Sequence, residues 1–493
     1  MPHGDDFLYL NYFENISNWH YGGYKWVNDC ILLPRGFWRP WEDILGTINA
    51  MTPGTFPYLN HIIITLCHVI CGYLVYNLSL KLAISDFASL VGALFFMFAT
   101  NSMGGLLSVD SIAQVLVSLF GLLSVYFYCK ESKTSRGLWF LFAVLAFFAK
   151  ESGFVWIFVG PIFNEIIIQK RDSQQFSFSN VGWPVLIKKL LICIIPVILY
   201  LGIFYLLSHS TFTGLIAKSE SSEVIDNSQG QNKSMFERWT NVEYDNSSHE
   251  INAVQIVKSA FVLYGASLIP IDTSAIYYKN YDLLAVTILL SLLSMIIVLY
   301  SLFNSYKQNP QLVVALFLLL LWTSSVSLLT RAGEISPHPS NAFMGIMVAN
   351  MINAIEWNKI IKISAFCFCL STLITDAHKY YLCYKGGDVC RMMGEETVNK
   401  TIGKPNRVLC ISVENKKGDG AFIINPENDY RCGAYAIMLY NYAYPQYRDV
   451  VRLDDSSSNV QQEIDSIVNV SQNKYYDCIW IQKDGKVNVM NLK

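Results

Sequence analysis

Residues 58–79, YLNHIIITLCHVICGYLVYNLS, run for 22 positions without one Asp, Glu, Lys or Arg. An α-helix rises about 1.5 Å per residue, so about 20 apolar residues are needed to cross a hydrocarbon core roughly 30 Å thick. This stretch meets that requirement. Further apolar runs follow at 86–100, 110–129, 137–149, 153–169, 189–208, 281–303, 311–330, 339–355 and 360–376. The short ones require tilt, local thinning or protein neighbours. The expected fold is an all-α polytopic membrane bundle of about ten visible spans, followed by a small C-terminal α/β soluble domain. The amphipathic stretch 251–270, ending at Pro270, is expected on the membrane surface.

Composition agrees. Of 493 residues, 53% are hydrophobic and 15% charged, with mean hydropathy +0.32. Soluble domains carry roughly 25% charged residues. The apolar runs concentrate in 58–376, which divides the chain into a polar first loop (1–57), a bundle (58–376) with a long loop at 209–280, and a soluble tail (377–493). A net charge of −2 and the lack of a basic stripe give no reason to expect nucleic acid. Twelve cysteines contain no CxxC pair, so a zinc site is not expected, and no Asp-x-Asp run is present, so no obligatory metal is expected either.

Short loops assign orientation, because Lys and Arg favour the cytoplasmic side. With 58–79 running inward, the inner connections hold Lys81, Lys130, Lys133, Arg136, Lys170, Arg171, Lys188, Lys189, Lys307, Lys359 and Lys362. The outer short connections hold Lys150 and Arg331. The first loop, the 209–280 loop and the tail are then expected on the non-cytoplasmic side: the periplasm if bacterial, the endoplasmic reticulum lumen if eukaryotic.

In the tail, RVLCISV (407–413) and AFIIN (421–425) read as strands. CGAYAIMLYNYAY and VQQEIDSIV (460–468) read as helices, and YYDCIWIQ with KVNVMNL as a closing hairpin.

Residues able to carry chemistry cluster in the outer segments. Asp5 and Asp6 open DDFLYLNYF, where a carboxylate facing a sugar acceptor could serve as general base or simply be solvated. Lys150 and Glu151 interrupt an apolar run from 138 to 163; ionisable groups at membrane depth are costly and tend to be functional, although a hairpin turn would also hold them. Arg331, Glu334 and His338 fall in the last short outer loop, with arginine suited to phosphate through its forked donors. Arg39 lies among aromatics in GFWRPWED, as a ligand or an interfacial anchor. Asn60 and His61 open the first span, with His68 seven residues on; hydrogen bonding inside the bundle would satisfy these histidines equally well. Asp110 reads as a helix N-cap.

Taken together, DDFLYLNYF, FWRPW, PYLNH, FFAKESGF and HPSNAF resemble, in order and spacing, the GT-C glycosyltransferases. The likeness is to the branch containing protein O-mannosyltransferases, their tetratricopeptide-bearing relatives and the bacterial lipid A aminoarabinose transferase. It covers about residues 1–350. The resemblance implies an inverting enzyme with a polyprenyl-phosphate sugar as donor and a protein, glycan or lipid as acceptor, working without cofactor or metal. It makes Asp5 the base and Asp6 its helper. Lys150 and Arg331 would hold the donor phosphate, Glu151 would support them, and Arg39, His61, Glu334 and His338 would line the substrate site. The family begins with a span before the acidic loop, so the resemblance also implies that a first span is missing from this sequence. Two departures stand out: Gly104 occupies the place of an expected acid, and Arg331 is displaced from its usual position before Pro-Ser. The competing classes are a lipid-linked sugar transporter or flippase, whose charges would line a path at the midplane, and a non-catalytic scaffold presenting the tail.

Overall fold

The computed structural model describes residues 40–41, 44–45, 48, 58–107, 111–130, 132–173, 175–207, 253–271, 284–329, 336–401, 408–414, 448–454, 459–472, 478–483 and 486–491. Among the described residues, twelve α-helices of five residues or more precede the tail: α1 (Tyr58–Lys81), α2 (Asp86–Met97), α3 (Met103–Leu107), α4 (Ile112–Tyr128), α5 (Lys133–Ala149), α6 (Trp156–Ser173), α7 (Trp183–Leu207), α8 (Ala253–Ala260), α9 (Leu284–Gln308), α10 (Pro310–Leu329), α11 (His338–Asn353) and α12 (Lys359–Thr401). Among the described residues, each of the ten expected apolar segments contains a helix.

Among the described residues, six helices are long and apolar enough to cross a membrane: Tyr58–Lys81, Ser152–Ser173, Trp183–Ile203, Ala285–Gln308, Pro310–Leu328 and Lys359–Tyr381. The expectation of ten spans is therefore supported only for these six. Helices α2, α4, α5 and α11 are shorter, and α4 and α11 are largely enclosed by their neighbours, whereas α2 buries one face only. Helix α11 is the extreme case, buried on every side from His338 to Ala349. Having little lipid to face, it carries His338, Ser340 and Asn341 in its first turn. By contrast, α7 and α9 leave Leu191, Ile195, Ile198, Leu289, Leu292 and Leu299 exposed. Exposed apolar faces of this kind are what a bilayer would cover.

Two devices bring the helices close. Gly92 of α2 meets α11 where a Cβ would stand 2.4 Å from the Gly345 carbonyl oxygen. Such small-residue crossings let helix backbones approach where no aqueous hydrophobic effect drives them together. Between α9 and α12 runs a hydroxyl seam. Ser291 and Ser371 both donate to the Pro270 carbonyl, at 3.0 and 2.8 Å, and Ser364 donates to the Leu293 carbonyl at 2.6 Å. Ser371→Ala leaves Pro270 one donor, so the expected loss is small, about 0.6 kcal/mol, read from the denaturation midpoint in detergent.

Helix α1 ends in a Schellman turn: Ala83 N–H donates to Leu80 O at 3.0 Å and Ile84 N–H to Ser79 O at 3.4 Å. That geometry sets Ala83 at φ 57°, a left-handed conformation. Because Ala83 is exposed and an L side chain is strained there, Ala83→Gly is expected to stabilise the protein by about 1 kcal/mol, measured in the same denaturation assay.

Alternating helix directions sort the two ends of the bundle. Lys81 at the end of α1 and Lys130 after α4 reach the same Tyr126 ring. Ser85 N–H donates to Asn353 Oδ1, and Phe178 N–H to Gln311 Oε1. The basic connections thus share one end. The opposite end holds the starts of α1, α4 and α11 and the turn between α5 and α6.

Beyond the bundle, α12 continues unbroken to Thr401. Residue 377, where composition suggested a domain boundary, lies inside it; a helix turning polar carries no stop signal there. The tail forms a sheet in the order β2-β1-β3-β4 from β1 (Val408–Glu414), β2 (Arg448–Asp454), β3 (Cys478–Lys483) and β4 (Lys486–Asn491). Strand β1 pairs parallel with β2 and β3, and β3 and β4 form the expected hairpin. Helix α13 (Val460–Gln472) lays Val460, Ile464 and Val468 on Leu409, Ile411 and Ile479. The expected strand 421–425 and the expected helix from Cys432 lie outside the described residues.

Candidate functional site: a buried polar cluster

The end opposite the basic connections contains an interior that is polar where an apolar core would be expected. His68 lies in the middle of α1 and His338 opens α11, yet both are buried. His68 Nε2 is 3.0 Å from the Met97 carbonyl, His68 Nδ1 is 2.9 Å from His338 Nε2, and His338 Nδ1 is 2.7 Å from Ser118 Oγ on α4. A carbonyl only accepts, so His68 Nε2 carries a hydrogen. For two neutral rings one arrangement then satisfies every contact: His338 Nε2–H donates to His68 Nδ1, and the Ser118 hydroxyl donates to His338 Nδ1. Ser118 Oγ also reaches the Gln114 carbonyl at 3.0 Å, which gives its single hydrogen a second acceptor. Phe96 packs edge-on against His338 and closes the side of the chain.

A second layer joins three elements. After α2 the backbone tightens into a 3-10 turn, Thr100–Ser102, and all three side chains are buried. Asn341 on α11 donates to Asn101 Oδ1 at 2.9 Å and also to Ser102 Oγ. Asn101 Nδ2 in turn donates to the carbonyls of Val262 and Leu263, at 3.0 and 3.1 Å. Those carbonyls lie in a π-helical turn, Phe261–Gly265, that follows α8. A π-turn displaces the regular i→i−4 ladder, which is why such turns recur at functional sites. Lys379 of α12, 1% exposed, donates to the Thr100 carbonyl at 3.1 Å, and Thr100 Oγ1 to the Ala266 carbonyl at 2.9 Å. Beside this layer, burial pushes the Tyr264 hydroxyl up, and its contact with Ser324 acts in the opposite direction.

Some buried polar atoms near these helix starts have no hydrogen-bond partner among the described residues: both amide atoms of Asn60, Gln114 Oε1, Ser152 Oγ and Trp156 Nε1. Amides and hydroxyls of this kind match the hydroxyl groups of a polyol, donor for acceptor.

Of the residues singled out in the sequence, Asp5, Asp6, Arg39, Arg331, Glu334 and Asp110 lie outside the described residues. His61, the residue after Asn60, is half-buried near the start of α1 and has a contact of its own. Lys150, half-buried, terminates α5 in an extended conformation and leads into the 3-10 turn Glu151–Val155. Its carbonyl accepts from Gly153 N–H at 2.8 Å, and its N–H donates to Ala146 O at 3.3 Å. His338 was expected in a loop beside Arg331. It is instead the first helical residue of α11, because Pro339 fits a helix start and the surrounding helices bury the first turn. Asn101, Ser118, Asn341 and Lys379 were not anticipated. For Ser118 the signal was a lone polar side chain inside an apolar stretch; Asn101, Asn341 and Lys379 stand among other polar residues and had no such signal. Among the described residues, no three His, Cys, Asp or Glu converge as a metal site would require.

No family model matches the chain, and no curated protein or solved structure matches it.

Proposed function

We propose that the chain is a membrane glycosyltransferase that moves a sugar from a polyprenyl-phosphate-linked donor to an acceptor on the non-cytoplasmic side, with Asp5 as general base. The observation supporting this reading is a convergence. The segments PYLNH and HPSNAF, together with the NSMGG turn and the FFAKESGF turn, all belong to the bundle end opposite the basic connections. With basic residues favouring the cytoplasm, that end faces outward. The donor enters sideways from the outer leaflet. Lys150 and Arg331 neutralise the leaving phosphate, whose charge grows in the transition state. Asp5 takes the acceptor hydroxyl proton while that oxygen attacks the anomeric carbon. Glu151 supports the cations, and the buried amide-rich layer behind them recognises sugar hydroxyls. The test is to incubate the purified protein with a polyprenyl-phosphate sugar and an acceptor, and to follow product by mass spectrometry. No transfer by wild type with mannose, glucose or aminoarabinose donors would remove the support for this reading.

A second reading, a transporter for lipid-linked sugars, draws on the hydrogen-bonded chain His68–His338–Ser118, since buried histidines within a bundle are parts of proton relays. Donor movement between leaflets of sealed vesicles, without sugar transfer, would favour it.

A further inference from the structure

At the basic end, two lysines from different connections share one aromatic ring. Lys130 Nζ stands 4.6 Å from the Tyr126 centroid and 5.5 Å from that of Phe127. Lys81 Nζ, from the last turn of α1, stands 5.9 Å from the same Tyr126 ring. Lys133 and Arg136 follow in the first turn of α5, both exposed. Cations at a helix N-terminus oppose the helix dipole, so this placement is locally unfavourable unless an anion stands nearby. Asp86, the acid next to Lys81 along the chain, accepts from the Tyr76 hydroxyl. Among the described residues none of these four cations forms an ion pair with a carboxylate. Glu131 is the single acid in the 129–137 turn, so even with it counted the group keeps an excess of positive charge. There is room as well: a Cβ added at Gly137 would meet nothing within 4 Å.

From this geometry we infer that Lys81 and Lys130, over Tyr126, with Lys133 and Arg136 beside them, bind the phosphate headgroup of an anionic membrane lipid. Tyr126 and Phe127 supply the apolar wall against which the lipid's glycerol backbone rests, and the ammonium groups reach the phosphate oxygens from both sides. Aromatic rings at the level of the headgroups and basic pockets between helix ends are the two features by which membrane proteins hold such lipids. The inference depends only on the chain being embedded in a bilayer and not on the transferase reading.

The test uses the full chain in detergent and in nanodiscs. Phosphatidylglycerol, phosphatidylcholine and inorganic phosphate are the three probes, with lipid retention read by native mass spectrometry and thermal unfolding as a second measure. Wild type is expected to retain phosphatidylglycerol over phosphatidylcholine. Lys81→Gln and Lys130→Gln should each weaken that retention about fivefold, and together about thirtyfold, following the usual attraction per basic residue at a membrane surface. A charge-matched control, Lys307→Gln with Lys359→Gln, removes two cations from the same end and should leave retention unchanged. Unfolding in phosphatidylcholine alone verifies that each variant is folded. The inference is overturned if phosphatidylglycerol is held no better than phosphatidylcholine, if the control loses as much as the pair, or if inorganic phosphate alone reproduces the stabilisation.

Discussion

If Asp5 is the base proposed above, Asp5→Asn is expected to lower sugar transfer by roughly 10²–10⁴-fold, the usual contribution of a positioned general base. The asparagine keeps the size of the side chain and its capacity to hydrogen-bond the acceptor hydroxyl, but it cannot take the proton. The loss should therefore fall on kcat, with donor KM nearly unchanged, because the base acts on a proton that moves only in the transition state. Asp6→Asn should cost less, as befits a helper. Lys150→Met should show the opposite pattern, a raised donor KM, since a cation holding phosphate contributes to ground-state binding as well. Steady-state kinetics with a synthetic short-chain polyprenyl-phosphate sugar separates these outcomes. Full activity in the Asp5→Asn, Asp6→Asn double variant would remove Asp5 and Asp6 from the proposed chemistry, and absence of transfer by wild type would move the support to the scaffold reading.

The second large effect concerns the histidine chain. His338→Ala removes a ring that is 0% exposed, that packs against Phe96, and that bonds to both His68 and Ser118. Ser118 has the Gln114 carbonyl as a second acceptor, so its hydroxyl is not stranded. His68 Nδ1 is stranded: its other nitrogen is committed to Met97, and the ring lies within apolar helices. An unsatisfied buried acceptor costs about 1–3 kcal/mol, and deleting a buried ring adds a cavity cost, so a destabilisation of about 3–5 kcal/mol is expected. The diagnostic comparison is a double-mutant cycle with His68→Leu. Once His68 is apolar, removing His338 no longer strands anything, and the double variant should be less damaged than the two single losses added together. Strict additivity of the two losses in denaturant unfolding would mean that the histidine contact contributes nothing.

How much of this was readable beforehand differs by element. The helices were, because twenty apolar residues have few other places to go. What hydropathy could not tell was which helices face lipid. Helix α11 has the composition of a buried helix, with His338, Ser340 and Asn341 beside Phe343 and Ile346, and only the surrounding helices explain why that mixture is tolerated. Strand β2 went unnoticed because RDVVRLD places charges at 448, 449, 452 and 454, and without knowledge of its neighbour β1 it reads as a loop. At the site, His68 and Asn60 were visible as polar residues in an apolar run. Their partners were not, since Asn341 meets Asn101 across 240 positions of chain and nothing in local spacing records such a pairing. The π-turn at 261–265 was equally hidden: FVLYG has the composition of an ordinary helix, and the irregularity follows from a tertiary donor, Asn101, taking its carbonyls.

Helix α12 carries one more consequence. Its 43 residues correspond to about 64 Å, and the last 20, from Tyr381 onward, rise about 30 Å past the apolar section. The sheet domain is therefore mounted on a mast rather than tied by a string, and strand β4 leans against that mast. Any twist or vertical displacement of α12 within the bilayer must reach the sheet domain as motion of its base. The softest joint along the way is Gly386–Gly387, where each glycine lowers helix stability by about 1 kcal/mol.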